Sequence, residues 1–201
     1  MMEKIIICIG RQIGSGGKII GERLSKELGI ELYDKEILSE AAKQSGLMEL
    51  FFENVDEKAS QSFLNSIYSI NPMLKNDPMS PNLLSNDALF VMQSDAIRQI
   101  ATQQSAIFIG RCADYILKDY PNVLSVFITA SLEDRVKRIC NKDNVSPEDA
   151  LKTIKKIDKQ RASYYNYYTD KIWGAAASYD LCIDSTKFGI SRCVEIIKSL
   201  L

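Results

Sequence analysis

The stretch that decides the fold is residues 4–18, KIIICIGRQIGSGGK, in which an apolar run leads into a glycine cluster. The first six of these residues are mostly β-branched and apolar, which is typical of a buried parallel strand. Apolar residues at four-residue spacing follow the cluster and predict a helix that ends at Gly29. Glycines between such a strand and helix let consecutive backbone N–H groups face an anion, beside the positive end of the helix dipole. The segment therefore predicts a phosphate-binding loop made of Gly14, Ser15, Gly16, Gly17 and Lys18.

The loop matches the nucleotide-binding pattern G-x-x-x-x-G-K-[ST] in part. Gly17 and Lys18 occupy the expected positions, and Lys18 would supply a mobile positive charge to the β- and γ-phosphates of ATP. Gln12 replaces the first glycine, and Ile19 replaces the hydroxyl residue that would contact Mg²⁺. The strand–loop–helix context favours phosphate binding over a simple glycine-rich turn with a solvated lysine.

A dinucleotide-binding fingerprint, G-x-G-x-x-G, is the alternative for the same glycines. Gly14 and Gly16 would begin it, and Asp34 lies after the next strand, where such folds keep an acid for the ribose. Its third glycine is replaced by Ile19, and Lys18 has no role in it. The fingerprint stays the weaker alternative.

The rest of the chain alternates strands with helices. Further strands are predicted over residues 30–33, 106–109, 123–129 and 179–183, and a proline-containing loop over 70–86. Asp34 is predicted to cap a helix, and residues 47–69, 87–103 and 189–201 are predicted to be helical. Serines at 131 and 146 are predicted to cap two more helices. This order implies an α/β fold with a five-stranded parallel sheet covered by helices on both faces, whose ligands bind at the carboxyl ends of the strands.

Composition excludes several classes of function. The 201 residues suit one domain, and 25 basic against 26 acidic residues give no charge excess for nucleic acid or anionic membranes. With no histidine, neither a His-based triad nor a His-containing zinc site can form. Cys8 and Cys182 lie in apolar runs and are predicted to be buried thiols in a reducing compartment. No apolar run has the length of a signal peptide core or a membrane span, so we expect a cytoplasmic protein.

Five segments, taken together, resemble the cytidylate kinase-like proteins, within the nucleoside monophosphate kinase fold. They are GSGGKIIGERLSKELGIELYDKEIL, IFIGRCADYIL, VFITASLEDRVKRI, DKQRASYYNYY and YDLCIDST, and the likeness is weakest over residues 47–92. The resemblance implies a P-loop kinase that binds ATP with Mg²⁺ and a small phosphorylated acceptor. It also implies an acceptor-binding insertion over about residues 46–95 and a LID over residues 152–173.

The resemblance also implies roles for four side chains. Arg98 and Arg111 would bind the acceptor phosphate, Asp34 would lie near the transferring group, and Arg161 would come from the LID. Asp158 precedes Arg161 by three residues, so the carboxylate is expected to orient the guanidinium on one helix face. We expect catalysis by Lys18, Asp34 and Arg161, because phosphoryl transfer needs positioning and charge stabilisation more than a general base.

Departures from the family pattern leave the acceptor open. The hydroxyl that helps to hold Mg²⁺ is replaced by Ile19 and Ile20, the aspartate expected after the Gly-Arg pair is Cys112, and an arginine expected shortly after Asp34 is missing. The primary hypothesis is phosphoryl transfer to a nucleoside monophosphate such as CMP or dCMP. The alternatives are a small-metabolite kinase on the same fold and a nucleotide-binding sensor with little or no turnover.

Overall fold

A computed structural model describes residues 4–34 and 86–201, with the side chains of residues 86 and 88 excepted. Two compact units are present: one comprises residues 1–35 and 100–201, and the other residues 36–99. The predictions of a helix after Asp34, a helix over 47–69 and a loop over 70–86 fall outside the described residues. So does most of the expected acceptor-binding insertion, of which the described part is helical.

The first unit is built on a parallel sheet of five strands in the order β2-β3-β1-β4-β5. The predicted α/β fold class is therefore confirmed. The strands are β1 (Ile6–Arg11), β2 (Glu31–Tyr33), β3 (Ala106–Ile109), β4 (Val123–Thr129) and β5 (Leu181–Asp184). β1 lies at the centre, with Ile9 beside Ile109 of β3 and Val126 of β4.

The central strands are buried because their apolar side chains meet helices on both faces. Ile7 and Ile107 are fully buried, as are Val126 and Ile128. They form one core with side chains from the flanking helices, including Ile20, Leu24, Val194 and Ile197. Burying each such side chain stabilises the fold by about 1.5–3 kcal/mol, which explains why these strands were predictable from apolar runs alone.

Helices connect the strands, and all of them except α3 lie where the sequence predicts a helix. They are α1 (Gly17–Leu28), α2 (Asn86–Gln103), α3 (Ala113–Ile116), α4 (Leu132–Asp143), α5 (Pro147–Thr169) and α6 (Ser185–Lys198). Gly29 ends α1 with φ 65, as predicted. The Ser131 and Ser146 side chains accept hydrogen bonds from the Asp134 and Asp149 amides, which confirms both predicted N-caps. No helix in these two described stretches is both long and apolar enough to cross a membrane.

Three elements have a boundary that differs from prediction by two residues or more. β1 begins at Ile6 rather than at residue 4 and continues to Arg11, because Gly10 and Arg11 still pair with Phe127 and Ile128 of β4. β5 begins at Leu181, two residues late. The last helix begins at Ser185, where Asp184 caps it, and bends at Gly189, the residue predicted to start it.

The prediction for one cysteine is wrong. Cys8 is buried as expected, but Cys182 is exposed. β5 is an edge strand, and side chains alternate between the two faces of a strand. Ile183 takes the buried position beside it, so an apolar run at a sheet edge does not bury every side chain.

Candidate active site

The loop between β1 and α1 takes the backbone form expected of an anion-binding loop. Gly14 and Gly16 are left-handed, with φ 74 and 83. A Cβ at Gly14 would lie 2.9 Å from the Arg135 carbonyl oxygen, so the close approach of the loop to α4 also requires glycine there. The first N–H groups of a helix have no partner in its own ladder, and α1 begins directly at the end of this loop.

Side chains from α4 and α6 donate hydrogen bonds to the carbonyl groups of the loop. Three consecutive carbonyls accept hydrogen bonds: Ile13 O from Arg135 Nε at 2.8 Å, Gly14 O from Arg138 Nη1 at 3.0 Å and Ser15 O from Ser185 Oγ at 2.6 Å. The peptide unit is planar and trans, so its C=O and N–H point in opposite directions. Holding the carbonyls toward α4 and α6 therefore turns the N–H groups of the same peptides, those of Gly14 and Gly16 among them, the other way.

Lys18 lies in the first turn of α1 and forms an ion pair with Asp34. Its Nζ is 2.9 Å from Asp34 Oδ2. The Lys18 side chain is 60% exposed, whereas that of Asp34 is only 12% exposed. The pair joins the loop to the carboxyl end of β2 and leaves the lysine accessible to a ligand.

The position of the Mg²⁺-binding hydroxyl holds no oxygen. Ile19 is 47% exposed and Ile20 is fully buried. No set of three or more His, Cys, Asp or Glu side chains is placed to hold a metal ion in residues 4–34 and 86–201. Mg²⁺ usually takes one or two carboxylates together with substrate phosphates and water. Asp34, beside Lys18, is a carboxylate that could bind water around a Mg²⁺ ion whose direct ligands would include the phosphates.

The segment after β3 is strained. Gly110, Arg111 and Cys112 have φ 72, 60 and 57, three left-handed residues in succession. Left-handed backbone at residues other than glycine costs about 1–2 kcal/mol each and is concentrated at functional sites. The Arg111 guanidinium lies over the Tyr164 ring, 5.3 Å from its centroid. Burial and the charge of Asp114 raise the pKa of the Cys112 thiol to about 12, which makes it a neutral packing residue.

The predicted pairing of Arg161 with Asp158 is wrong. Asp158 forms an ion pair with Arg135 and accepts a hydrogen bond from the Ile13 amide at 2.9 Å. Arg161 Nη1 donates instead to the carbonyl oxygen of Arg11 at 3.1 Å. The competing partner comes from α4, the preceding helix, 23 residues before Asp158 in the sequence, and its pairing with Asp158 is nearly buried. Arg161 is thereby placed at the carboxyl end of β1.

Arg98 belongs to the second unit, on α2. Its Nη1 is 3.0 Å from Asp95 Oδ1, one helical turn away, and both side chains are about half exposed. Exposed pairs of this kind contribute little to stability, so the contact does not prevent Arg98 from binding another partner. Its assignment to the acceptor phosphate stays a prediction.

Sequence reasoning missed Arg135 and Arg138, which hold the loop carbonyls. Their three-residue spacing places them on one face of α4. That spacing is the feature of the sequence that could have indicated a shared binding role. In an amphipathic helix with several other charges, such residues are usually solvated. Arg135 is instead only 5% exposed.

A buried polar network involving Asp114 was also missed. The Tyr165 hydroxyl donates to Asp114 Oδ2 at 2.6 Å, and the Tyr165 ring stacks on Tyr179 at 5.8 Å. Burial raises the pKa of Asp114, although the hydrogen bond from Tyr165 opposes that rise. Tyr164 and Tyr168 form a separate ring pair, with centroids 4.8 Å apart. The hydrogen bond from Tyr165 to Asp114 connects α5 to the segment that carries Arg111.

The structure has known counterparts. It superposes on an uncharacterized protein from Eubacterium ventriosum ATCC 27560 with a TM-score of 0.75, 29% identity and 98% coverage of each chain. It also superposes on shikimate kinase from Bacteroides thetaiotaomicron with a TM-score of 0.51, 12% identity and coverage of 98% and 97%. The second likeness, at this identity, concerns the fold alone.

Curated relatives are similar in sequence. A cytidylate kinase from Methanosarcina barkeri is 34% identical over 101 residues, which cover 49% of this chain and 56% of that relative. The chain thus matches little more than half the length of that relative. A cytidylate kinase from Ignicoccus hospitalis is 22% identical over 201 residues, with 98% of both chains covered.

The family assignment rests on a match along most of the chain. The model of the cytidylate kinase-like family matches residues 6–187. That range contains the glycine loop, the strained Gly-Arg segment after β3 and all of α5. The chain belongs to the cytidylate kinase-like family.

Proposed function

We propose that this protein transfers the γ-phosphoryl group of ATP to a small phosphorylated acceptor, with a nucleoside monophosphate such as CMP or dCMP as the first candidate. The observation that carries the proposal is the outward binding of three consecutive loop carbonyls by Arg135, Arg138 and Ser185. A loop held in this way is preorganised for an anion, so the Gly14 and Gly16 amides need not rearrange when phosphate arrives. Family membership supports the same reaction.

The reaction that we propose forms a bond between an acceptor phosphate oxygen and the γ-phosphorus while the bond to the β-phosphate oxygen breaks. ATP and CMP would give ADP and CDP. Lys18 would bridge the β- and γ-phosphates, and Arg161 would neutralise charge that develops as the γ-phosphoryl group leaves. Arg98 and Arg111 would hold the acceptor phosphate, since the guanidinium fork binds two oxygens at once.

Asp34 is the carboxylate that would lie closest to the metal in this proposal. Mg²⁺ bound with ATP would offset the phosphate charges. Asp34 would accept hydrogen bonds from water molecules around the ion and hold the Lys18 ammonium 2.9 Å away. In this proposal the phosphates would bind the metal directly and Asp34 would bind its water, in place of a loop hydroxyl.

Closure of a LID over residues 152–173 is part of the proposal. Excluding water from the site would suppress hydrolysis of ATP and strengthen the electrostatic contacts inside it. α5 supplies most of this segment, and Arg161 on it already reaches the carbonyl oxygen of Arg11. Arg161 would then need to move little to neutralise charge on the γ-phosphoryl group when the LID is closed.

A sensor with little turnover is the second candidate, and the apolar position 19 favours it. Ile19 places an exposed hydrocarbon where the family pattern has a Mg²⁺-binding hydroxyl. A metabolite kinase with a changed acceptor pocket is supported by Cys112, which stands where the family pattern has an aspartate. A turnover assay with ATP, Mg²⁺ and nucleoside monophosphates distinguishes both candidates from the proposed reaction.

Lys18→Ala is expected to weaken ATP binding. The change removes a charge-assisted contact to phosphate, a loss of about 1.5–3 kcal/mol, or roughly tenfold or more in affinity. Calorimetric titration with ATP and Mg²⁺ measures this, and thermal unfolding checks that the protein remains folded. Lys198→Ala is the matched control, because Lys198 forms a similar 2.7 Å ion pair with Glu27 on the surface. ATP affinity unchanged by Lys18→Ala would contradict the loop assignment.

A further inference from the structure

The backbone of Ile13, the residue before Gly14, is bound at both of its polar groups by the members of one ion pair. The Ile13 amide donates to Asp158 Oδ1 at 2.9 Å, and the Ile13 carbonyl oxygen accepts from Arg135 Nε at 2.8 Å. Asp158 Oδ2 and Arg135 Nη2 bind each other. The three residues therefore close a ring of hydrogen bonds, in which a shift of either charged side chain would move the start of the phosphate loop.

The Ile13 side chain is held by the same two helices. It packs against a buried cluster made of Ile139 from α4 and of Ala150 and Ile154 from α5. A residue whose side chain and backbone are both engaged has lost most of its conformational freedom before any ligand binds. The path of the chain into Gly14 is therefore set by α4 and α5.

One face of α5 lies along the chain that leaves β1. Ile154, Asp158 and Arg161 are spaced by four and three residues, which places them on the same face of a helix. The first belongs to the cluster on which Ile13 packs, the second binds the Ile13 amide, and the third donates to the Arg11 carbonyl oxygen at 3.1 Å. Moving this part of α5 away from the sheet would break the contacts to residues 11 and 13 together.

The charges of this arrangement suit an anion-binding loop. A carboxylate beside such a loop repels phosphate unless a cation compensates it. Arg135 supplies that cation for Asp158, and the Arg135 side chain is only 6% exposed. Because the Ile13 N–H is bound to Asp158, it is not offered to phosphate. The amides that remain for an anion then begin with that of Gly14.

We propose that Asp158 is a positioning residue for ATP. Acting through Ile13 and together with Arg135, it holds the phosphate loop in the conformation that binds the triphosphate. It also links occupation of the loop to the docking of α5 on the chain after β1, so ATP favours the position of α5 that presents Arg161. That the ligand is ATP rests on the proposed function, whereas the dependence of the loop on Asp158 does not.

A double substitution separates the positioning of the loop from stability. Replacing both members of a buried ion pair by apolar residues of similar size is often neutral for stability. Arg135→Met combined with Asp158→Leu is therefore expected to unfold close to the parent Tm. It should bind ATP with Mg²⁺ about tenfold or more weakly, because both hydrogen bonds to Ile13 are lost and the loop is no longer preorganised. Thermal unfolding and calorimetric titration measure the two quantities.

Asp158→Asn is expected to give the opposite order. Asparagine keeps an oxygen for the Ile13 amide but removes the negative charge that Arg135 binds, which should lower Tm more than the double substitution does. ATP affinity should nevertheless fall less than in the double variant, since both hydrogen bonds to Ile13 can be kept. A purely structural role for Asp158 would order the two variants in the same way in both measurements.

The link to α5 is measured by amide hydrogen exchange. In the parent protein, a saturating non-hydrolysable ATP analogue with Mg²⁺ should slow exchange of the α5 amides around Asp158 about fivefold or more, since coupling between two sites acts in both directions. The double variant, saturated with the same analogue, should show much less slowing. Arg192→Gln with Glu195→Gln removes an exposed ion pair from α6 and should match the parent protein in ATP affinity and in exchange.

Opposite results would overturn the inference. A folded double variant that binds ATP as tightly as the parent protein would do so, as would Asp158→Asn weakening ATP binding at least as much as the double substitution. The absence of slowing in α5 of the parent protein would also overturn it, whether or not the double variant folds. Loss of ATP affinity in the double variant, without phosphoryl transfer by the parent protein to any nucleoside monophosphate, would support the inference and contradict the proposed function. Turnover with an unchanged KM for ATP in the double variant would support the function and contradict the inference.

Discussion

Arg161→Ala is expected to lower kcat roughly a hundredfold or more, in line with other arginines that stabilise phosphoryl transfer. As the γ-phosphoryl group leaves, negative charge builds on the bridging and equatorial oxygens. A guanidinium that meets this charge binds the transition state better than the ground state, so turnover falls more than affinity. ATP affinity, measured by calorimetry, should change much less than kcat.

Two variants decide whether Arg161 acts on the substrate. Arg161→Lys keeps the charge and loses the fork, so it should recover only part of the lost turnover. Lys159→Ala removes an exposed charge from the same helix and should leave kcat near its normal value. If Arg161→Ala has near-normal kcat with saturating acceptor, Arg161 only joins α5 to the Arg11 carbonyl by a hydrogen bond. The lysines of α5 then become the better candidates for stabilising the transition state.

Arg135→Ala is expected to give the largest loss of stability. The Arg135 side chain is 6% exposed and that of its partner Asp158 17%. Removing one member of a buried pair leaves an uncompensated charge and destabilises a protein by about 3–5 kcal/mol. For a chain of this length that lowers Tm by roughly 6–20 °C. Urea unfolding measures the free energy directly.

The same change tests how the loop is held. Arg135→Ala also removes the hydrogen bond to Ile13 O, so ATP binding should weaken even at temperatures where the protein is folded. Arg192→Ala, which breaks an exposed pair, should alter stability by no more than about 1 kcal/mol. If Arg135→Ala changes both stability and ATP affinity as little as Arg192→Ala does, the loop conformation does not depend on α4.

Local signals made much of the fold predictable. The apolar runs located β3 and β4 to the residue, since these strands are buried by helices on both faces. The serine caps of α4 and α5 depend on contacts three residues apart, and Gly29 ends α1 by its own backbone conformation. Each of these features is decided by neighbours in the sequence.

The site residues that were missed depend on contacts between distant parts of the chain. Arg135 meets a carbonyl 122 positions away, and Asp158 meets an amide 145 positions away. The helical spacing of Asp158 and Arg161 predicted a pairing between them, but a buried partner from α4 took the carboxylate. Arg11 was predicted to follow the strand, and only its pairing with β4 extends β1 to include it. Tertiary contacts of this kind leave no local pattern.

Phosphoryl transfer to a nucleoside monophosphate is tested by a turnover assay. ADP formation would be followed with ATP and Mg²⁺ in the presence of CMP, dCMP, UMP or AMP, each compared with a reaction lacking acceptor. We expect acceptor-dependent ADP formation that is fastest with CMP or dCMP and is strongly reduced in the Lys18→Ala protein. Failure of all four acceptors under conditions where ATP binds would contradict it and leave the metabolite kinase and the sensor as the explanations of the site.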